Sequence, residues 1–522
     1  MNNRSVKFRI YGRNRFFSLP LILLVFLVFP FVLFSQNFET ETDTDTGDFN
    51  FENNSENTTE NFGTFGFDGE NADNSAWNIP AVKIGGKISA SLLYFTEGLR
   101  SAEKNKEIKM GDIFEGNLNF SASGKNAEGI INLKIVPEFQ GNSPISVDEA
   151  YLRVYLGPVD MEGGIRKLTW GRADSFGPLD VINPIDYSDL SAMNNPRNIK
   201  RARPMLHVSW NVNSFSRLEG VFIPWFAGNK YDLEGRWAPS QVSMFQGIIM
   251  SGLMNYLSFS GMQLNPLMLQ TINTTYNDFL DSGLSKPEFN TLEYAQAGLR
   301  FTTTLGPSDL GVQYYFGRLF RPAITGNIDM QGFILPALGG GAPDFSKINI
   351  LVDYNYYHHL GVDYAQVIAG FNLRAEAGVN ITKDLSGDDG AVYNPHAVWS
   401  LGFDRDLIWG INVNLQGNGL VRLMYNKIGA NPFIDTEAGK DITSTRITAI
   451  LSRKFFNDEL ELKATALWGI EDKDFLIIPA IQWSKNDLTA ELSVGFFGGD
   501  RAGELGQYRD NSYVKTVLSW RF

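Results

Sequence analysis

YVKTVLSWRF, residues Tyr513–Phe522, closes the chain, and its alternation governs how everything before it is read. Val514, Thr516, Leu518, Trp520 and Phe522 fall on one face of a strand. Tyr513, Lys515, Val517, Ser519 and Arg521 fall on the other, because successive strand side chains point to opposite sides. The final residue is an aromatic on the apolar face. In a soluble core that placement sets a free carboxylate beside a buried ring, which is unfavourable. A strand of a membrane barrel has no such conflict: one side faces lipid, and aromatic residues sit where the apolar band meets water.

The same alternation recurs upstream from Val82. Ile88, Ala90, Leu92 and Tyr94 share one face, as do Leu206, Val208, Trp210 and Val212, and Leu299 and Phe301 with Ala295 and Ala297. Phe371 to Val379 and Leu488 to Phe496 repeat the pattern, with Asn, Arg, Glu, Thr and Ser between the apolar positions. Segments of this length and period read as half-apolar strands. They total about 18, in a range of 16–18. The connections between them alternate in length. Short ones (SGKNAE, LGPVDM, NVNS, LGPSD, AQVIAG, DRDL, FFNDE, SKND) interleave with long ones at 95–112, 136–148, 171–204, 227–292, 317–349, 381–396, 417–444, 470–476 and 497–511. Short turns on one rim and long loops on the other predict an all-β, antiparallel up-and-down transmembrane barrel over 81–522, with an even strand count and both ends on the periplasmic side. A soluble sandwich or propeller also has alternating strands, but its loops need not follow an odd–even rule.

Composition agrees. Fifty-one Gly and 68 aromatic residues among 522 suit strands, turns and interfacial girdles. There is no cysteine, which excludes disulfides, thiolate metal sites, cysteine nucleophiles and a lipoprotein anchor. Arg4, Lys7, Arg9, Arg13 and Arg15 precede an apolar run from Phe17 to Phe34, so 1–35 reads as a signal peptide; an uncleaved membrane helix is the alternative. Residues 36–80 are rich in Asn, Thr, Glu and Asp and read as a disordered acidic periplasmic spacer, or alternatively an interaction tail. The signal contributes +5 and the spacer -11 to the net -13, leaving -7 for the barrel, too little for a strong single-sign pore.

Several runs carry a family resemblance. EAYLRVYLG (Glu149–Gly157), GGIRKLTWG (Gly163–Gly171), DVINPIDYSDL (Asp180–Leu190), RPMLHVSW (Arg203–Trp210) and LEGVFIPWF (Leu218–Phe226) together resemble a large family of bacterial outer-membrane proteins. Its members carry a GRQ-x-x-x-WG strand followed by a D-x-x-NP-x-D loop, a pattern related to alginate-export and phosphate-selective porins. The chain departs from it at Ile165, which separates Gly164 from Arg166. The resemblance implies a channel-forming barrel and supplies no substrate. The last strand also resembles the C-terminal signal read by the outer-membrane barrel assembly machinery, with Leu518, Trp520 and Phe522 as its apolar positions and Val517 where a glycine is usual.

Candidate functional residues follow from facing and charge. Loop 171–204 holds Asp174, Asp180, Asp186 and Asp189, then Arg197, Lys200, Arg201 and Arg203. Folded inward, such zones would set a transverse field across a pore constriction; the alternative is mutual pairing that braces the loop. Arg153, Arg217, Arg300, Arg374 and Arg446, with Glu149, Glu219, Glu376, Glu461 and Glu491, are read as lumen lining. An 18-strand lumen is wide enough for water, so solvation alone accommodates mixed signs; an arginine ladder guiding anions is the sharper alternative. Residues 240–277 carry no charge, and Met244, Met250, Met254, Met262 and Met268 fall there, an apolar loop suited to packing or to a hydrophobic solute. The four His are too scattered for a metal or catalytic centre, and no hydrolase, zinc or phosphate-loop motif occurs, so neither an enzyme nor a cofactor is expected. The expectation is an outer-membrane porin passing small solutes by diffusion, narrowed by loops 171–204 and 227–292. Its partners would be membrane lipids, the assembly machinery and small solutes, with no nucleic acid. A surface-display or adhesion barrel and a facilitator for hydrophobic compounds are the rivals.

Overall fold

The computed structural model describes residues 81–96, 113–137, 144–174, 176–193, 196–233, 235–240, 288–329, 347–432 and 434–522, with a few isolated positions between 266 and 344. The signal and spacer readings, and the five methionines of the apolar loop, lie outside the described residues. Eighteen strands form one sheet. They are β1 (Val82–Phe95), β2 (Phe114–Ser123), β3 (Ala127–Ile135), β4 (Ile145–Leu156), β5 (Val159–Arg166), β6 (Arg203–Asn211), β7 (Ser216–Ile223), β8 (Gln296–Leu305) and β9 (Ser308–Arg318). Then follow β10 (Tyr356–Ile368), β11 (Phe371–Thr382), β12 (His396–Asp406), β13 (Ile411–Arg422), β14 (Thr443–Phe455), β15 (Leu460–Gly469), β16 (Asp474–Lys485), β17 (Leu488–Gly499) and β18 (Tyr513–Arg521).

Each strand pairs antiparallel with the next. β1 pairs with β18 from Lys87↔Arg521 to Phe95↔Tyr513, and the sheet closes into a barrel. Closure leaves no open edge strand, as a structure in hydrocarbon requires. The facing follows the alternation: Ile88, Leu92, Leu152, Leu299, Leu401 and Leu518 are exposed on the outer surface. Tyr513 and Ser519 of the same last strand are buried inside. Phe522 extends the ladder beyond β18, its carbonyl accepting from Gly86 N–H at 2.9 Å and its N–H donating to Gly86 at 3.0 Å. Its ring lies across Gly86, where a Cβ would come within 2.6 Å of the ring, and packs 5.2 Å from Trp520.

Eight short turns gather at one rim. Between β10 and β11, Ala369 (φ 52°) and Gly370 (φ 78°) both adopt the left-handed region, as two-residue hairpins prefer. The long connections lie at the other rim, with two adjustments. The β15–β16 link is residues 470–473, as tight as a turn, with Lys473 at φ 51°. Between β9 and β10 the chain forms an unforeseen antiparallel strand pair, Ala323–Ile328 with Ile348–Asp353.

Two apolar clusters lie on the inner face of the wall near the long-loop rim. Inward side chains Met205, Val221, Ile223, Tyr315 and Tyr357 pack against Leu168, Trp170, Val181 and Ile182 of the β5–β6 connection. On the other side Leu467, Leu476, Ile478, Phe497 and Tyr513 pack against Leu190, Met193, Ile199 and Trp237. These inward positions of the wall are apolar, and sequence reading did not single them out. Runs such as FLII (Phe475–Ile478), apolar on both faces, are the local sign of a strand buried on both sides.

Candidate functional site

β5 is short for a physical reason. Gly164 sits at φ +142°, packed on the backbone of Ala150 and Tyr151, and Arg166 pairs with Glu162 inside the wall. After Arg166 the chain leaves the sheet and turns into the lumen, carrying Leu168 and Trp170 with it. Lys167 anchors the departure: its N–H donates to Glu149 at 2.8 Å and its Nζ to Asp148 at 2.7 Å.

The segment crosses to the wall formed by β9 to β13. Gly171, at φ +91°, brings the backbone against Glu376 so closely that a methyl group there would overlap the carboxylate. Glu376 accepts the backbone N–H of Arg172, of Ala173 at 2.8 Å and of Leu179 at 3.3 Å. Arg172 donates through Nε to Asp363 at 2.7 Å and reaches Asp309 at 3.3 Å, while Arg300 holds the other Asp363 oxygen at 2.7 Å. Asp174 pairs with Arg374, which also donates to Asp404 at 2.6 Å. Asn414 adds a bond to Asp174 at 2.8 Å. Burial pushes the Asp174 carboxyl up, outweighing the pull of Arg374, so this bridge opens at a higher pH than an ordinary aspartate would set.

The return path is braced by the DVINPID run. Asn183 is buried, its Oδ1 accepting Leu168 N–H and its Nδ2 donating to the Arg201 carbonyl, both at 2.9 Å. Asp180 pairs with Lys200, whose Nζ also reaches Thr169 at 2.9 Å. Asp186 accepts Ser188 and faces Lys230 at 3.4 Å; Asp189 caps the short helix Leu190–Ala192 by accepting Ser191 N–H at 2.8 Å. Arg203 is fully buried and donates to the carbonyls of Ile182 at 3.2 Å and Trp225 at 2.6 Å; Arg201 donates to the Gly228 carbonyl at 3.0 Å. The side chain of Arg197 lies outside the described residues. So the structure brings Arg172 and Asp174 to the far wall and places the predicted residues Asp180, Asp186, Asp189, Lys200, Arg201 and Arg203 in braces.

The strand charges sit inside as their parity requires, and most are paired. Arg153 bonds Glu162 at 2.6 Å and Glu128 at 3.3 Å; Arg217 lies 3.4 Å from Glu219; Arg446 meets Glu504 of the β17–β18 loop at 3.0 Å. Arg446 holds the Glu504 carboxyl below its usual value. Glu491 and Glu461 are half-buried on the inner faces of β17 and β15. Sequence reading passed over Arg172, Asp309, Asp363, Asp404 and Asn414. Their polar parity was visible, but nothing local joins Arg172 to Asp363, 191 positions away.

No protein-family model matches the chain, and no curated protein does. Solved structures resemble it in outline. OmpF of Salmonella typhi, solved as a complex with daunomycin, is 8% identical over 85% of this chain and 98% of its own, with a TM-score of 0.38. OccAB4 of Acinetobacter baumannii is 8% identical over 85% and 98%, with a TM-score of 0.43. Wzi of Escherichia coli, an outer membrane protein described as a carbohydrate-binding β-barrel involved in group 1 capsule assembly, is 10% identical over 84% of each chain, with a TM-score of 0.40.

Proposed function

We propose that the protein is an outer-membrane channel for small polar solutes, with its short-turn rim and both barrel ends on the periplasmic side. Its constriction is the segment 167–202 folded across the lumen. The observation that supports this most is the mixed-charge contact of the inserted segment with the opposite wall, where Arg172, Asp174, Arg374, Asp363 and Asp404 meet. An 18-strand barrel has a lumen wide enough for water, and opposed charges at its narrowest level select solutes by charge and dipole. Asp174 and Arg374 are the residues through which selectivity is set, because each remains partly accessible to the lumen, 25% for either side chain.

A second reading, a closed barrel that displays its loops, draws support from the two apolar clusters inside the long-loop rim. Planar-bilayer recording of the refolded chain separates the two. A channel gives stable conductance steps whose ion selectivity shifts toward anions in Asp174→Asn and toward cations in Arg374→Gln. Acidification shifts the wild type the same way as Asp174→Asn, since protonation removes that negative charge. Silence in every bilayer trial of correctly folded protein sinks the channel reading and leaves display.

A further inference from the structure

A chain of buried polar side chains runs along the inner wall from the inserted segment to the loop after β11. Gln313 on β9 donates through Nε2 to the Leu179 carbonyl at 2.8 Å and contacts His359 Nε2 at 3.1 Å, while its Oε1 accepts from Arg300 at 2.8 Å. His359 on β10 meets Asn380 Oδ1 through Nδ1 at 2.7 Å. Asn380 on β11 meets His396 Nε2 through Nδ2 at 2.9 Å. His396, first residue of β12, ends the chain with Nδ1 on the Asn394 carbonyl at 3.0 Å. All four side chains are buried.

Both ends of this chain are one-way groups, because a guanidinium only donates and a carbonyl oxygen only accepts. Arg300 therefore sets the Gln313 oxygen and Leu179 sets its nitrogen. At the far end the Asn394 carbonyl requires a proton on His396 Nδ1. Its Nε2 then accepts from Asn380 Nδ2, the Asn380 oxygen accepts from His359 Nδ1, and His359 Nε2 accepts from Gln313. One proton order satisfies every member, with both imidazoles neutral and protonated on Nδ1.

We propose that Gln313, His359, Asn380 and His396 are positioning residues that hold Leu179 of the inserted segment through this single proton order, so that acid releases it. The proposal rests on reading that segment as the constriction. A proton added to His396 sets Nε2–H against the Asn380 amide N–H. If Asn380 turns over, its nitrogen faces His359 Nδ1–H, and His359 must move its proton to Nε2, against Gln313. Arg300 keeps the Gln313 oxygen facing it, so Gln313 answers by moving away from His359 and not by turning over, and its bond to the Leu179 carbonyl is lost with that movement. A proton added directly to His359 Nε2 reaches the same end in one step.

The surrounding charges are otherwise engaged. Near His396, Arg321 and Arg422 oppose a further positive charge, and Glu437 is taken up by Arg422 at 2.8 Å and Asn394 N–H at 2.7 Å. Near His359, Asp363 is held by Arg300 and Arg172, Glu376 by the segment's backbone, and Tyr357 packs edge-on at 6.5 Å. Among the described residues no carboxylate bonds either imidazole, so protonation disrupts the chain with no new ion pair to offset it.

Histidine-ring 15N NMR of the full chain refolded in micelles tests the order directly, with the four imidazoles assigned by single His→Gln variants. The expected result at pH 7 is neutral, Nδ1-protonated rings at His359 and His396; an Nε2-protonated or charged ring at either position overturns the proposal. Hydrogen exchange of amides 178–181, corrected for intrinsic rate, should rise about tenfold as the solution is acidified, the equivalent of one buried hydrogen bond lost. Asn380→Asp accepts from both imidazoles and should move that transition up by roughly one pH unit. Exchange that stays flat with pH, or a midpoint unmoved in Asn380→Asp, overturns the proposal. The wild-type ring spectra need no variant to fold. Conductance recorded on the same preparation separates the two readings: correct tautomers and acid-released exchange without any conductance fail the channel alone.

Discussion

Glu376 is the residue on which the inserted segment turns. Its parity on β11 marks it as inward-facing, and it is buried beneath the segment. Its three partners were not legible from the sequence, since they sit about 200 positions earlier and are backbone amides, which carry no residue identity. Glu376→Ala leaves those N–H groups without an acceptor, at about 1–3 kcal/mol for each that stays buried. The expected outcome is faster hydrogen exchange across 171–179 with strand amides unchanged, and a smaller change in Glu376→Gln, which keeps one oxygen. Protection that survives Glu376→Ala would mean that Arg172 and Asp174 suffice to hold the segment. Gly171 belongs to the same contact: its positive φ and the nearby carboxylate leave no room for a side chain.

At the scale of elements, the alternation of Tyr513–Phe522 was enough to assign β18 its faces, and its closure onto β1 gives that alternation its partner. The apolar positions are exposed to the lipid side, and Phe522 finds its seat on Gly86, a residue with no apparent role when read alone. Gly86→Val fills that seat. The barrel should then close less efficiently, seen as a smaller heat-modifiable, folded fraction on electrophoresis after refolding, with Phe522→Ala showing the same loss. Equal folded yield for Gly86→Val and wild type would show that the ring contact does not matter for closure. The β5 strand shows the opposite limit. GGIRKLTWG looks like nine residues of wall, yet only its first four continue the sheet; Gly164 and the inward turn of Trp170 are set by what packs inside.

For the whole molecule, two apolar clusters hold the connection after β5 against the inner wall near the long-loop rim. Trp170 is buried between the segment and the wall, with its ring against Gly298. Trp170→Ala should lower stability by about 3–5 kcal/mol, measured as a lower urea midpoint in micelles, and raise single-channel conductance as the segment loosens. A fall in stability with conductance unchanged would place the narrowest level elsewhere. Strand period, strand number and the alternation of turn and loop are local properties of the chain, since each depends only on neighbouring residues and on the two-sidedness of a strand. They were therefore open to reading from the sequence, as was the inward facing of the charged rows. Which charges face one another is not local. Arg172 reaches Asp363, Asp174 reaches Arg374 and Gln313 reaches Leu179 only because closure of the sheet brings opposite walls within a loop's length. The same loop could have paired its own acids and bases, as Asp180 and Lys200 do, and the choice between the two was made by packing.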